Sequence, residues 1–166
     1  KHVREGETVL DLGSGGGKIC FIAAQVVGPT GSVIGVDMND DMLALARKNQ
    51  GIVAEKIGYD NVRFCKGRIQ DMQIDRDQVD VYLRQHPVDG ESALRRFESF
   101  QEEMRAKRPM IADNSVDVVV SNCVLNLVDA TEKERLFAEI FRVLRPGGRA
   151  VISDIVSDEP VPPIMQ

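Results

Sequence analysis

The stretch Val9-Leu10-Asp11-Leu12-Gly13-Ser14-Gly15-Gly16-Gly17 decides the fold. A short apolar run ends beside a carboxylate, glycines follow at 13, 15, 16 and 17, and a helical pattern begins at Lys18. This is the signature of a strand whose C-terminal end enters a turn that a ligand must approach closely. Glycine is needed there because a Cβ would block the approach or forbid a positive φ. In an open α/β sheet, such a turn after the first strand is where an adenosine-containing cofactor sits.

The spacing narrows the cofactor. A phosphate-binding P-loop requires a glycine, four residues, then Gly-Lys-Ser/Thr. Leu12 stands at the first of those positions and Ile19 at the last, so that reading fails twice. The dinucleotide fingerprint fits Gly13 and Gly15 but meets Lys18 at its third glycine. What remains is Asp-x-Gly-x-Gly-x-Gly, from Asp11 to Gly17. Ser32-Val33-Ile34-Gly35-Val36-Asp37 then reads as a second strand ending in a carboxylate, about 20 residues on, the offset of a ribose-binding acid. Met38 can lie on an adenine face. Asp37 could instead cap the next helix, a task that Asn39 or Asp40 can also perform. Near the C-terminus, Arg142-Val143-Leu144-Arg145-Pro146-Gly147-Gly148 closes a helix and opens another strand. Together these segments resemble the class I S-adenosylmethionine-dependent methyltransferases, in their glycine motif and their R-V-L-[RK]-P-G-G segment. The resemblance implies a Rossmann-like core and S-adenosylmethionine as cofactor.

Composition sets bounds on this reading. A chain of 166 residues with 43% hydrophobic content can bury one sizeable core. A net charge of −5 argues against nucleic acid, whose phosphates need a basic face. The sequence shows no signal peptide and no apolar run long enough to span a membrane. Three cysteines without a pairing pattern suit a reducing cytoplasm better than a disulfide framework. Neither His2 nor His86 has a ligand-like neighbour at helical spacing, so a zinc site is not expected.

Strand and helix alternate along the chain, which predicts an α/β, doubly wound, mostly parallel sheet. Strands are expected near 8–12, 33–37, 62–66, 115–121 and 149–155, with helices at 18–27, 40–57 and 131–144. Residues 73–108 interrupt the rhythm between strands three and four. Two amphipathic stretches lie there, Val79–His86 and Ser92–Met104, with Leu94, Phe97 and Met104 on one face. A helical hairpin on the flank is the favoured reading, and a lid or dimer contact is the alternative. The core is expected over 1–156, insertion included, with a proline-rich tail over 157–166. The first strand starts close to one end, and five strands would leave an open edge, so a longer parent protein is expected.

Methyl transfer asks the protein mainly to align a nucleophile and exclude water. The acceptor is therefore read from the turns after strands one and four, and both carry a cysteine. Cys20 lies in the first turn after the glycine loop, where the helix dipole favours thiolate. Cys123 lies in Ser121-Asn122-Cys123-Val124-Leu125-Asn126-Leu127-Val128, just past strand four. If the fold is right, both turns open on one crevice. Two thiols beside a methyl donor point to a thiophilic substrate, although each could be a small buried hydrophobe. Cys65 lies mid-strand and is assigned to the core.

That eight-residue segment resembles the S-N-C-V-[IL]-N-L-V motif of the arsenite methyltransferases, which also carry a cysteine where Cys20 stands. The resemblance implies that Cys20 and Cys123 hold trivalent arsenic while its lone pair takes the methyl group of S-adenosylmethionine. Asp11, Gly13, Ser14, Gly15, Gly17, Asp37, Met38 and Asn122 would hold the cofactor. The Ile69–Gln70 turn would approach the adenine, with Gln70 where the family often has glutamate. A thiol reductant such as glutathione or thioredoxin is the implied partner. The family usually adds a third cysteine downstream of the fifth strand, so two thiolates and at most weak turnover are expected of these residues alone. Two other readings stay open: methylation of a small organic carbon, oxygen or nitrogen nucleophile, and a non-catalytic module binding S-adenosylmethionine or a metalloid.

Overall fold

The computed structural model describes residues 2–156; the proline-rich stretch 157–166 lies outside the described residues. Five parallel strands form one sheet: β1 (Thr8–Leu12), β2 (Ser32–Asp37), β3 (Val62–Lys66), β4 (Val116–Asn122) and β5 (Leu144–Ser153). Their order is β3-β2-β1-β4-β5. The order reverses between β1 and β4, and in an open α/β sheet that switch point is where a ligand crevice opens at the strands' carboxyl ends.

Both faces of the sheet are covered, which is why its central strands are mostly apolar, Asp11 in β1 and Asp117 in β4 being exceptions. On one face, Val9, Val33, Phe64 and Val118 pack against Ala24 and Val27 of α1 (Lys18–Val27) and Leu43 and Ala46 of α2 (Asp40–Ile57). On the other, Leu10, Leu12, Val36 and Val119 meet Leu136, Ile140 and Val143 of α5 (Lys133–Val143). Burying each such side chain contributes about 1.5–3 kcal/mol. Helix α2 starts on an Asn39 cap that accepts the Met42 N–H and ends on Gly58 at φ 84, as its sequence demands.

Residues 73–108 form α3 (Arg76–Gln85) and α4 (Glu91–Lys107), with a small core of Ile74, Val79 and Met104 backed by Phe97 and Phe100. Arg105 of α4 grips Asp71 through two guanidinium nitrogens at 2.6 and 2.7 Å, tying the hairpin to the turn after β3. Leu94 departs from the expected face: it is 44% exposed while Met104 is fully buried. The two lie about 80° apart around the helix, so Leu94 sits at the edge of the stripe whose centre Met104 buries.

Strand β5 starts at Leu144, earlier than the sequence suggests. Its register against β4 shifts between Val116 and Val118, and Gly147 has φ 83. Pro146-Gly147-Gly148 is therefore a bulge inside the strand rather than a turn before it, a usual place for proline and glycine in an edge strand.

Candidate active site

The crevice follows from local chain rules. Strand β1 delivers Gly13 with φ 70, and Gly13 and Ser14 both donate their N–H groups to the Val36 carbonyl of β2. Gly15 (φ 51) donates its N–H to Asp37 Oδ2 at 2.8 Å, and Asp37 Oδ1 accepts from Asn39 N–H at 2.9 Å. The carboxylate thus pins the glycine loop to the end of β2 and still keeps lone pairs free, since an ionised carboxylate offers about four acceptor sites. A Cβ on Gly13 would lie 2.6 Å from the methyl carbons of Val124, so the loop and the segment after β4 touch. A Cβ on Gly15 would meet nothing within 4 Å, which leaves its outer side open to a ligand.

Beside this contact lies a cavity of about 500 Å³, within the range of small-molecule sites. Gly13, Asp37 and Met38 form its wall on the β1–β2 side. Arg68, Ile69 and Gln70 come from the turn after β3. Val124, Leu127, Val128, Asp129 and Glu132 come from the segment after β4, which forms 3-10 turns at Leu125–Leu127 and Ala130–Glu132. Of the residues singled out in the sequence, Gly13, Asp37, Met38, Ile69 and Gln70 therefore share one cavity. Gly17, at φ 87, caps α1, and a Cβ there would strike the Phe64 and Phe21 rings. Its glycine is thus required by packing. The hydroxyls of Ser14 and Ser121 are buried without a hydrogen-bond partner among the described residues. Neither residue lines the cavity; each is an unsatisfied polar group at the carboxyl end of the sheet.

The two cysteines sit in opposite environments. Cys123 is exposed and stands in left-handed backbone at φ 56, its N–H held by the Ser153 carbonyl at 2.8 Å. A non-glycine residue in that region carries strain, which concentrates at functional sites. Its Sγ contacts Oδ1 of the neighbouring Asn122 at 3.6 Å, and Asn122 lies exposed at the end of β4. Cys20 is fully buried among Val9, Ala24, Val33 and Val118, and its thiol donates to Asp11 Oδ2 at 3.3 Å.

The expectation of a Cys20 thiolate is corrected on this point. Burial, the negative charge of Asp11 and the hydrogen bond to it all push the thiol far above its ordinary range, outweighing a helix dipole. Nor do the two thiols face one open space in this conformation. Asp11, expected to hold the cofactor, turns toward Cys20 and is only 2% exposed. Alkylation reports the difference. Under non-denaturing conditions Cys123 is expected to react at least about 100-fold faster than Cys20 or Cys65, read by peptide mass spectrometry. Equal rates at Cys20 and Cys123 would show that the first turn of α1 opens in solution.

Burial also pushes the Asp11 carboxyl up to about 6 from an ordinary 3.8, with the nearby Asp37 charge adding to it and the Cys20 hydrogen bond opposing it. A carboxyl raised on folding stabilises the fold below its unfolded value and loses that contribution as pH rises through about 6. Asp11 is therefore expected to cost about 3 kcal/mol between pH 4 and pH 7. Denaturant unfolding of Asp11→Asn against the parent chain, run across that range, should show the gap closing at low pH. A gap independent of pH would contradict this.

Two family models, each described as a methyltransferase domain, match residues 4–105 and 90–152. The chain belongs to the methyltransferase domain family. It is 42% identical to an arsenite methyltransferase of Halobacterium salinarum over 97% of its own length and 30% of the relative's. It is 36% identical to an arsenite methyltransferase of Aquipseudomonas alcaligenes, over 93% of this chain and 34% of that one. The chain thus spans about a third of the length of these curated relatives. Among solved structures, an arsenic(III) S-adenosylmethionine methyltransferase from Chlamydomonas reinhardtii superposes with a TM-score of 0.69 at 33% identity, over 98% of this chain and 43% of that one.

S-adenosylmethionine is the cofactor of this family, and the residues present fit it. Asp37 offers free acceptors beside an open Gly15, Met38 and Ile69 give apolar walls, and Ser14 holds an unspent hydroxyl. The sequence did not single out Asp129 and Glu132, which also line the cavity. Their signal was their place in the segment after β4, within ten residues of Cys123.

Among the described residues no group of three or more His, Cys, Asp or Glu side chains could hold a metal ion. Among the same residues no helix is long and apolar enough to cross a membrane.

Proposed function

We propose that this domain transfers a methyl group from S-adenosylmethionine to trivalent arsenic ligated by Cys123. The observation that carries the reading is an exposed thiol, held in strained backbone, immediately before the residue that touches the glycine loop. When bound, the cofactor supplies an electrophilic methyl group on a sulfonium. Asp37 would hold the ribose hydroxyls, the Gly13–Gly15 backbone and Ser14 the polar chain, Met38 and Ile69 the base, and Gln70 its edge. Asn122, whose Oδ1 lies 3.6 Å from the Cys123 sulfur, would also contact the cofactor.

Thiolates are soft ligands and suit a soft, thiophilic centre. Ligation by sulfur leaves three-coordinate arsenic with its lone pair, the nucleophile that the reaction needs. Cys123 must give up its proton to bind. Cys20 is the second sulfur ligand, which requires its thiol to leave Asp11 and the first turn of α1 to shift. A small thiol such as glutathione can complete the coordination and, with thioredoxin, keep the cysteines reduced in the cytoplasm.

The test is a single-turnover mixture of reduced protein, arsenite, glutathione and methyl-labelled cofactor, with products separated by chromatography and detected as arsenic. Methylated arsenic is expected, at a slow rate: the lone-pair attack leaves pentavalent methylarsenic and S-adenosylhomocysteine, and two glutathione thiols, oxidised to the disulfide, reduce the product to methylarsenite. Label appearing instead on a small organic acceptor, with none on arsenic, would favour the second reading, an ordinary organic-substrate methyltransferase.

A further inference from the structure

We propose that Glu132 sets the base specificity of the cofactor site by fixing which way the Gln70 amide points. The proposal rests on S-adenosylmethionine being the occupant of this cavity. Gln70 and Glu132 both line it, one from the turn after β3 and the other from the 3-10 turn after β4. Gln70 Nε2 donates to Glu132 Oε2 at 2.8 Å, and the pair is half-buried.

Both backbones are held independently of that bond. The Gln70 turn is closed by the Asp71 N–H on the Arg68 carbonyl, by Arg105 on the Asp71 carboxylate, and by the Met72 N–H on Glu139 Oε2 at 2.7 Å. Glu132 follows the turn fixed by Asp129, whose carbonyl accepts the Glu132 N–H at 3.0 Å. Rotation of the Gln70 amide plane decides which of its edges meets the carboxylate. An amide is nearly the same shape either way round, yet one edge donates and the other accepts. A carboxylate only accepts. Glu132 therefore takes the NH2 group and leaves Gln70 Oε1 as the free edge, with no donor bonded to it among the described residues.

A cavity whose ribose carboxylate, Asp37, lies at the glycine-loop wall sends the base toward the wall made by Ile69 and Gln70. There an acceptor edge matches the exocyclic amine of adenine. It opposes the carbonyl that hypoxanthine carries at the same ring position. With its amide free, Gln70 could serve either base. With Glu132 in place one of its two N–H donors is bound, and Oε1 is the acceptor left without a partner among the described residues.

The experiment compares S-adenosylhomocysteine with S-inosylhomocysteine by titration calorimetry on the whole chain. The parent chain should prefer the adenosyl ligand by about 30-fold or more, the penalty of two buried acceptors facing each other. In Glu132→Gln the preference should fall to within about threefold, chiefly because the inosyl ligand binds more tightly. The reversed pair, Gln70→Glu with Glu132→Gln, places the fixed acceptor on residue 70 again and should restore the preference. An unchanged ratio in Glu132→Gln, or equal weakening of both ligands, would overturn the proposal while leaving the cofactor reading intact. Binding of neither ligand by the parent chain would overturn both.

Discussion

Replacing Gly13 with alanine is expected to weaken cofactor binding by at least about 100-fold. Two effects combine. Gly13 stands at φ 70, where a Cβ costs about 1 kcal/mol. That Cβ would also lie 2.6 Å from both methyl carbons of Val124, so either the glycine loop or the segment after β4 must give way. These are the two walls of the crevice, and their displacement removes about 3 kcal/mol or more of binding. Gly15→Ala separates ligand from packing. It meets no protein atom within 4 Å, so its loss of affinity reports the space that the cofactor fills. Gly58→Ala, at φ 84 and also in open space, is the control for backbone strain alone. Calorimetry with S-adenosylhomocysteine should rank them Gly13, Gly15, then Gly58 with parental affinity. Parental affinity in all three would remove the glycine loop from the binding site.

Cys123→Ser is expected to abolish methylarsenite formation, a fall of at least about 100-fold, while S-adenosylhomocysteine affinity stays within about twofold. Serine is nearly isosteric and tolerates the same left-handed backbone, so the fold should survive the change. Its hydroxyl is a hard donor and stays protonated, so it cannot replace a thiolate at arsenic. The split between binding and turnover is what distinguishes a substrate ligand from a packing residue. An unchanged rate in Cys123→Ser would assign the thiol no part in the chemistry.

Much of the fold was legible because its signals are local. Central strands buried on both faces are predominantly apolar, as the Val118–Val120 run is. Glycines at 13, 28 and 58 take positive φ where turns demand it. The cavity residues Gly13, Asp37, Met38, Ile69 and Gln70 follow from the rule that ligands sit at the carboxyl ends of parallel strands. What was not legible depends on contacts between distant segments. The Cys20 thiol is governed by Asp11 nine residues earlier, because α1 folds back over β1 and buries both. Position on a helix gave the dipole, but desolvation decided the protonation state. Glu132 carries no motif, and its role appears only when the segment after β4 closes over the turn after β3. The β5 bulge was hidden because Pro-Gly-Gly spells a turn as readily as a break within an edge strand.

The central claim is that the Cys123 thiol, beside the glycine loop, makes arsenic the substrate. It is tested most directly by the arsenic retained per chain after reduced protein is mixed with arsenite and desalted. The account predicts about one arsenic per chain, lost in Cys123→Ser and reduced in Cys20→Ser, as expected when soft thiolates are the ligands. Retention that survives Cys123→Ser, or none in the parent chain with glutathione present, would contradict it.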